Sequence, residues 1–143
     1  MSGRVSVATT WLQGCSGCHI ALLDMHEELL DVLSAIDIKY SPIVDIKEVP
    51  NTDVGIVEGS VCNQDNAEML AKFREKSKTL VAFGTCACFG GISGLRNLFK
   101  REDLFRRGYI ETESTVDGKV PAGLEIPALE EYVKPLNQLV QVD

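Results

Sequence analysis

The sequence predicts a doubly wound α/β domain built on a parallel sheet. Short runs rich in β-branched residues alternate with segments of helical period, which implies crossover connections between parallel strands. The predicted strands end at loops bordered by glycine, where such sheets place their sites. A chain of 143 residues, 45% hydrophobic, has a core of ordinary size for one domain spanning 1–143.

Residues 4–10 (RVSVATT) alternate and are rich in Val and Thr, the pattern of a first strand. Over residues 19–34, Leu22, Leu23, Met25, Leu29, Leu30 and Leu33 recur at helical spacing opposite Asp24, Glu27, Glu28 and Asp31. That predicts one amphipathic helix packed on the sheet, its acidic face in solvent. Residues 36–44 (IDIKYSPIV) predict a second strand, which Pro42 assigns to an edge or brings to its end. Residues 45–52 are a loop. Residues 53–57 (DVGIV) are short and apolar, as in a strand covered on both faces, and stop at Glu58-Gly59.

Residues 63–65 offer helix caps, and Asp65 with Glu68 resembles a capping box opening a helix to about Ser77, with Ala67, Leu70, Ala71 and Phe73 on its apolar side. Residues 78–83 (KTLVAF) predict the fourth strand, ending at Gly84. Residues 94–105 predict one or two short helices, and residues 109–127 read as irregular, with Asp117-Gly118 as a turn. Residues 128–139 look helical, Pro135 opening a second short helix. Residues 140–143 read as a fifth strand that has barely begun.

The net charge of −7 argues against nucleic acid and against anionic lipid, both of which attract a basic face. No apolar run reaches the length of a membrane span, and residues 1–4 lead into a strand with no export signal. Five cysteines are too few, and odd in number, for a secreted disulfide scaffold. Reduced thiols in a cytoplasmic setting are the expectation.

Four of the five cysteines lie in two glycine-bordered loops, Gly14-Cys15-Ser16-Gly17-Cys18 and Gly84-Thr85-Cys86-Ala87-Cys88. A Cys-x-x-Cys pair serves as a redox dithiol, half a zinc site or half the anchorage of an iron–sulfur cluster. In a flavodoxin-like strand order the first, third and fourth strands stand side by side, which brings Cys15, Cys18, Glu58, Cys86 and Cys88 to one crevice. Cys18, at the mouth of the first helix, is expected to favour the thiolate. Gly14 and Gly17 let the backbone close around a bulky centre, and Thr10, Ser16 and Thr85 are candidate hydrogen-bond donors to its sulfurs.

Two ligand sets stay open. Cys15, Cys18, Cys86 and Cys88 form a self-contained four-thiolate site, suited to zinc in a binding module or to an iron–sulfur cluster. Cys15, Cys18 and Cys86 alone need a fourth ligand from elsewhere, and a metal-free Cys15–Cys18 redox couple is the third option. Cys62 reads as a buried free thiol. Glu58 is a candidate carboxylate beside the site or an acceptor within its own turn; His19 and His26 read as helix-end or surface residues, and Trp11 as packing.

The stretches WLQGCSGCHIALLD (11–24), VEGSV (57–61), FGTCACFGGISGLRN (83–97) and VKPL (133–136) resemble the small, electron-transferring subunit of nickel–iron hydrogenases. They are most similar to the cytoplasmic group that includes the coenzyme F-420-non-reducing hydrogenase of methanogens. The resemblance implies a flavodoxin-like domain holding a proximal [4Fe-4S] cluster. Cys15, Cys18 and Cys86 match three of its ligands, and Glu58 matches the glutamate of the family's Glu-Gly turn. Cys88 falls where the family carries no ligand. The family's fourth cysteine follows its fifth strand, so it is expected beyond Asp143, in a longer subunit of which these residues are a part. The implied partners are a nickel–iron large subunit and, onward, a ferredoxin-like delta subunit and heterodisulfide reductase; F-420- and NAD-reducing relatives are alternatives. The quinone-reductase subunit of respiratory complex I is homologous but carries adjacent cysteines where this chain has Cys15-Ser16-Gly17-Cys18.

Overall fold

The computed structural model describes residues 3–121 and 126–143. In chain order the elements are β1 (Val5–Trp11), α1 (Gly17–Leu23), α2 (Glu28–Ala35), β2 (Ile36–Tyr40), β3 (Thr52–Glu58), β4 (Val61–Asn63), α3 (Gln64–Lys76), β5 (Ser77–Phe83), α4 (Thr85–Phe89), α5 (Arg101–Tyr109) and β6 (Leu129–Lys134). Short 3-10 segments occupy Ser93–Leu98, about two turns, and Leu136–Gln138, about one turn.

Four strands form a parallel sheet in the order β2-β1-β3-β5, the flavodoxin-like order expected. β1 stands inside that sheet, and its residues Val7, Ala8, Thr9 and Thr10 are all buried, which is why its sequence gives up strict polar alternation at the centre. The core joins Ala8 and Val57 of the sheet to Leu70 and Phe73 of α3, Leu80 of β5, Ala87 of α4 and Leu136. α3 opens where Asn63 accepts the backbone N–H of Asn66 at 2.8 Å. The cap is therefore Asn63 and not the Asp65–Glu68 box, because Asn63 is the residue still in extended conformation.

Four elements differ from the sequence reading. The long first helix is two, separated at residues 24–27 with His26 in the left-handed region at φ 54°. Leu22, Met25, Leu29 and Leu33 still form a half-buried stripe across the break, but Leu23 and Leu30 are exposed. The second strand stops at Tyr40, two residues before Pro42, which has no N–H to extend a ladder.

The third difference is the largest. Residues 129–134 are not helical but form β6, antiparallel to β4, a short strand that sequence reading passes over. β6 is also held by side chains: the Asn97 carboxamide donates to the Val133 carbonyl at 2.9 Å and accepts its N–H at 2.8 Å. Arg96 and Arg101 donate to the carbonyls of Glu130 and Leu129. These partners are remote in sequence, so they override the helical pattern. Only the turn after Pro135 is helical. Residues 140–143 are not a strand either; Asp143 makes one backbone bond, its N–H to the Leu80 carbonyl at 3.0 Å, while its carboxylate accepts from Leu80 N–H and Arg74.

The short helices expected over residues 94–105 are present as the first 3-10 segment and α5. The irregular stretch agrees over its described part, with Asp117 at φ 52°; residues 122–125 lie outside the described residues.

At the amino ends of the strands, Asp53 accepts from the Ser6 hydroxyl at 2.6 Å, the Ser6 N–H at 2.9 Å and Lys78 Nζ at 2.7 Å. Hydrogen bonds from Lys78 and then Ser6 hold its carboxyl well below the ordinary value of 3.8. The group therefore stabilises the fold fully above its unfolded pKa, and that contribution fades as pH falls below it. Asp53→Asn is expected to lower the urea midpoint near neutrality, with the gap from the parent chain narrowing between about pH 5 and pH 3. A gap independent of pH would count against the assignment.

Candidate functional site

The carboxyl ends of β1, β3 and β5 lie in register, Trp11 opposite Glu58 and Glu58 opposite Phe83. Each strand delivers its chemistry within a few residues of that line: Cys15 and Cys18 after β1, Glu58 at the tip of β3, Cys86 after β5. Backbone bonds tie the first loop to the Glu58 turn. Leu12 N–H donates to the Glu58 carbonyl at 2.8 Å, and Gln13 and Ser60 exchange bonds at 3.1 and 2.8 Å. Gly59, at φ +81°, permits this approach, since a Cβ there would meet Leu12 backbone at 2.8 Å.

Glycines line the sulfurs. Gly84, at φ +87°, lies so close to Cys18 that a Cβ would collide with its Sγ. A Cβ on Gly91 would stand 2.6 Å from Cys86 Sγ, on Gly17 3.2 Å from Cys15 Sγ, and on Gly14 3.8 Å from Cys86 Sγ. The first loop thus abuts Cys86, and the second abuts Cys18. Cys15 is exposed; Cys18 and Cys86 are half-buried. Ser16, between the first two cysteines, adopts the left-handed conformation at φ 60° and makes no capping bond with its side chain. Thr85 is exposed and opens α4.

Cys88 turns away. Two residues on from Cys86 in a short helix, it points to another side, and its thiol donates to the Ala82 carbonyl at 3.4 Å. Among the described residues no three His, Cys, Asp or Glu side chains converge as ligands of one metal ion. Neither the three-cysteine set nor the four-thiolate set is therefore closed around an ion, and Cys88 is distinguished from the other three by the direction of its thiol. Cys62 is buried, as expected of a core thiol, with its sulfur 3.6 Å from the Ser60 hydroxyl.

The protonation of Cys18 differs from the expectation drawn from its helix. Burial first, then a hydrogen bond to the Glu58 carboxyl and that group's charge, push the thiol up to about 11. Loading a metal centre at Cys18 therefore displaces a proton.

His19 is also not where its sequence position suggested. It is buried, its Nδ1 3.0 Å from Glu58 Oε1, with the Trp11 ring set edge-on at a centroid distance of 5.3 Å. Nothing in the linear spacing announces the His19–Glu58 contact, because it exists only through the β1–β3 register. Trp11 does serve as packing, as read.

The parallel sheet thus brings three cysteines and a buried carboxyl to its carboxyl edge, which makes this an α/β protein with a thiol-lined site at the strand ends. The chain belongs to the family described as NADH ubiquinone oxidoreductase, 20 Kd subunit, whose model matches residues 15–143. Within it, the chain is similar to hydrogenase subunits, as its motifs indicated. It is 48% identical to an F420-non-reducing hydrogenase subunit of Methanocaldococcus jannaschii, over 97% of this chain and 49% of that protein. It is 34% identical to the F420-non-reducing hydrogenase iron-sulfur subunit of Archaeoglobus profundus, over 91% of this chain and 46% of the relative. A crystal structure of NAD+-reducing [NiFe]-hydrogenase in the H2-reduced state superposes with a TM-score of 0.95 and 34% identity, over 99% of this chain and 80% of the other. The chain spans about half the length of the two archaeal relatives.

Proposed function

We propose that this chain is the cluster-bearing part of the electron-transfer subunit of a cytoplasmic nickel–iron hydrogenase. In this reading Cys15, Cys18 and Cys86 hold a proximal [4Fe-4S] cluster, with a fourth thiolate supplied from beyond Asp143. The observation that carries it is the convergence of the Cys15–Cys18 loop with Cys86 across the ends of β1, β3 and β5. The residues fit the group. The donor set is all thiolate, the choice of iron–sulfur centres, and the glycines facing the sulfurs keep Cβ atoms out of the space a bulky centre needs. When bound, the cluster accepts and releases one electron at a time.

The chain's own contribution is to fix the three sulfurs, restrict water and set the charge around them. Electrons from hydrogen oxidation on a partner large subunit enter here and leave toward a ferredoxin-like delta subunit and heterodisulfide reductase. Exposed apolar residues beside the Cys86 loop, Phe89 at 81% with Ile92, Leu98 and Phe99, support a partner surface there. Among the described residues no helix is long and apolar enough to cross a membrane. The 0.95 TM-score over 80% of an NAD+-reducing enzyme's chain favours, as a second reading, an NAD-reducing acceptor module.

Anaerobic purification of the full-length subunit from its source, with metal and sulfide analysis, tests the proposal. Iron and sulfide with a nickel-bearing companion chain are expected, and the remaining companions identify the acceptor. Zinc without iron or sulfide overturns the reading.

A further inference from the structure

Beside Cys18 the fold buries a carboxyl and an imidazole that the ligand set does not use. Glu58 is 2% exposed and His19 5% exposed. Nδ1 of His19 lies 3.0 Å from Oε1 of Glu58. The ring N–H is not aligned for a hydrogen bond at that distance, and among the described residues neither His19 nitrogen nor Oε1 of Glu58 has a hydrogen-bond partner. A buried carboxyl without a polar partner is costly, and the imidazole at 3.0 Å is a polar side chain placed to offset that cost.

Trp11 braces the arrangement, its ring nearly perpendicular to the imidazole at 76°. Three separate constraints thus converge on one carboxyl. The sheet register sets the Glu58 backbone between Trp11 and Phe83, α1 carries His19 directly after Cys18, and the Cys18 sulfur packs against Gly84, the residue that follows Phe83.

We propose that His19 is a positioning residue that holds the Glu58 carboxylate against Cys18, so that a fixed negative charge stands beside the metal centre and lowers its reduction potential. The inference rests on the cluster assignment above and goes beyond it, since it names what sets the potential. A negative charge close to a centre that gains an electron disfavours the reduced form, and burial keeps the effect from being screened. His19 acts only through Glu58 and touches no reacting atom.

The test is a redox titration of the proximal cluster, followed by electron paramagnetic resonance in the anaerobically purified complex, with iron and sulfide counted for each variant. Glu58→Gln is expected to raise the potential. His19→Ala is expected to raise it by no more than Glu58→Gln does, and the double variant to match Glu58→Gln alone. His19→Asn, whose amide nitrogen falls near the place of Nδ1, is expected to restore the parent value. An unchanged potential in Glu58→Gln overturns the proposal whatever His19 does. So does an unchanged or lowered potential in His19→Ala with its iron retained, or a double variant that shifts by the sum of the two. If His19→Ala loses its iron, the decision passes to the other two: a raised Glu58→Gln with a parent-like His19→Asn supports the proposal, and any other pair of values overturns it. Absence of iron and sulfide from the unmutated subunit is a different result, which removes the cluster assignment itself and this inference with it.

Discussion

Cys86→Ser is expected to strip the subunit of nearly all its iron and sulfide, and Cys88→Ser to leave both unchanged. The two positions are separated by one residue, so the contrast reads geometry and not proximity in sequence. Cys86 faces Gly14 and Gly91 in the crevice, whereas the Cys88 thiol is already bonded to the Ala82 carbonyl. Serine at 86 replaces a soft thiolate with a hydroxyl that remains protonated, and on the proposed assignment four protein ligands become three. Cys15→Ser and Cys18→Ser should resemble Cys86→Ser. At Cys88 the hydroxyl of serine still reaches a backbone acceptor, so stability should also be preserved within about 1 kcal/mol. Loss of iron in Cys88→Ser equal to that in Cys86→Ser would falsify the three-cysteine assignment and return the four-thiolate set to consideration.

The second large effect is expected at Gly84→Ala. The backbone there, φ +87° and ψ 169°, belongs to the region that only glycine occupies freely, and holding alanine in it costs about 1–3 kcal/mol. The new methyl would also overlap Cys18 Sγ. The chain can relieve that overlap only by moving Cys18 away from the crevice or by opening the turn from β5 into α4. Either response should lower the thermal midpoint and the iron content together. Gly108→Ala is the fitting control: it lies in α5, and a Cβ there meets nothing within 4 Å. That change should leave the iron in place and raise stability by up to about 1 kcal/mol, because alanine favours helix. Iron content unaffected in Gly84→Ala would show that Cys18 is not confined by the second loop.

Much of the scaffold was legible because the signals that specify it are local. Residues 4–10, 53–57 and 78–83 announce strands through β-branched runs, and the glycines at 14, 59 and 84 mark where each strand ends. Alternation with helices then fixes a parallel sheet, and the sheet order places the cysteine loops at one edge. What failed was of a different kind. Residues 129–134 carry a pattern compatible with helix and become a strand because β4 and the Asn97 carboxamide offer their backbone better partners. His26 interrupts a leucine periodicity that runs through it, and no glycine or proline marks the place.

The same division holds at the site. The sequence by itself determined the class of fold, the three strand ends that carry chemistry, and the meeting of the two cysteine loops at one edge. Spacing and residue type suffice for those, since a cysteine loop that follows a parallel strand has only one edge of the sheet to occupy. Tertiary structure alone decided that Cys88 turns aside, that burial and Glu58 raise the pKa of the free Cys18 thiol, and that His19 is buried against that same carboxyl. Each of those depends on the direction of a side chain and the field of a neighbour brought close by register, and neither quantity is written in the order of residues along the chain.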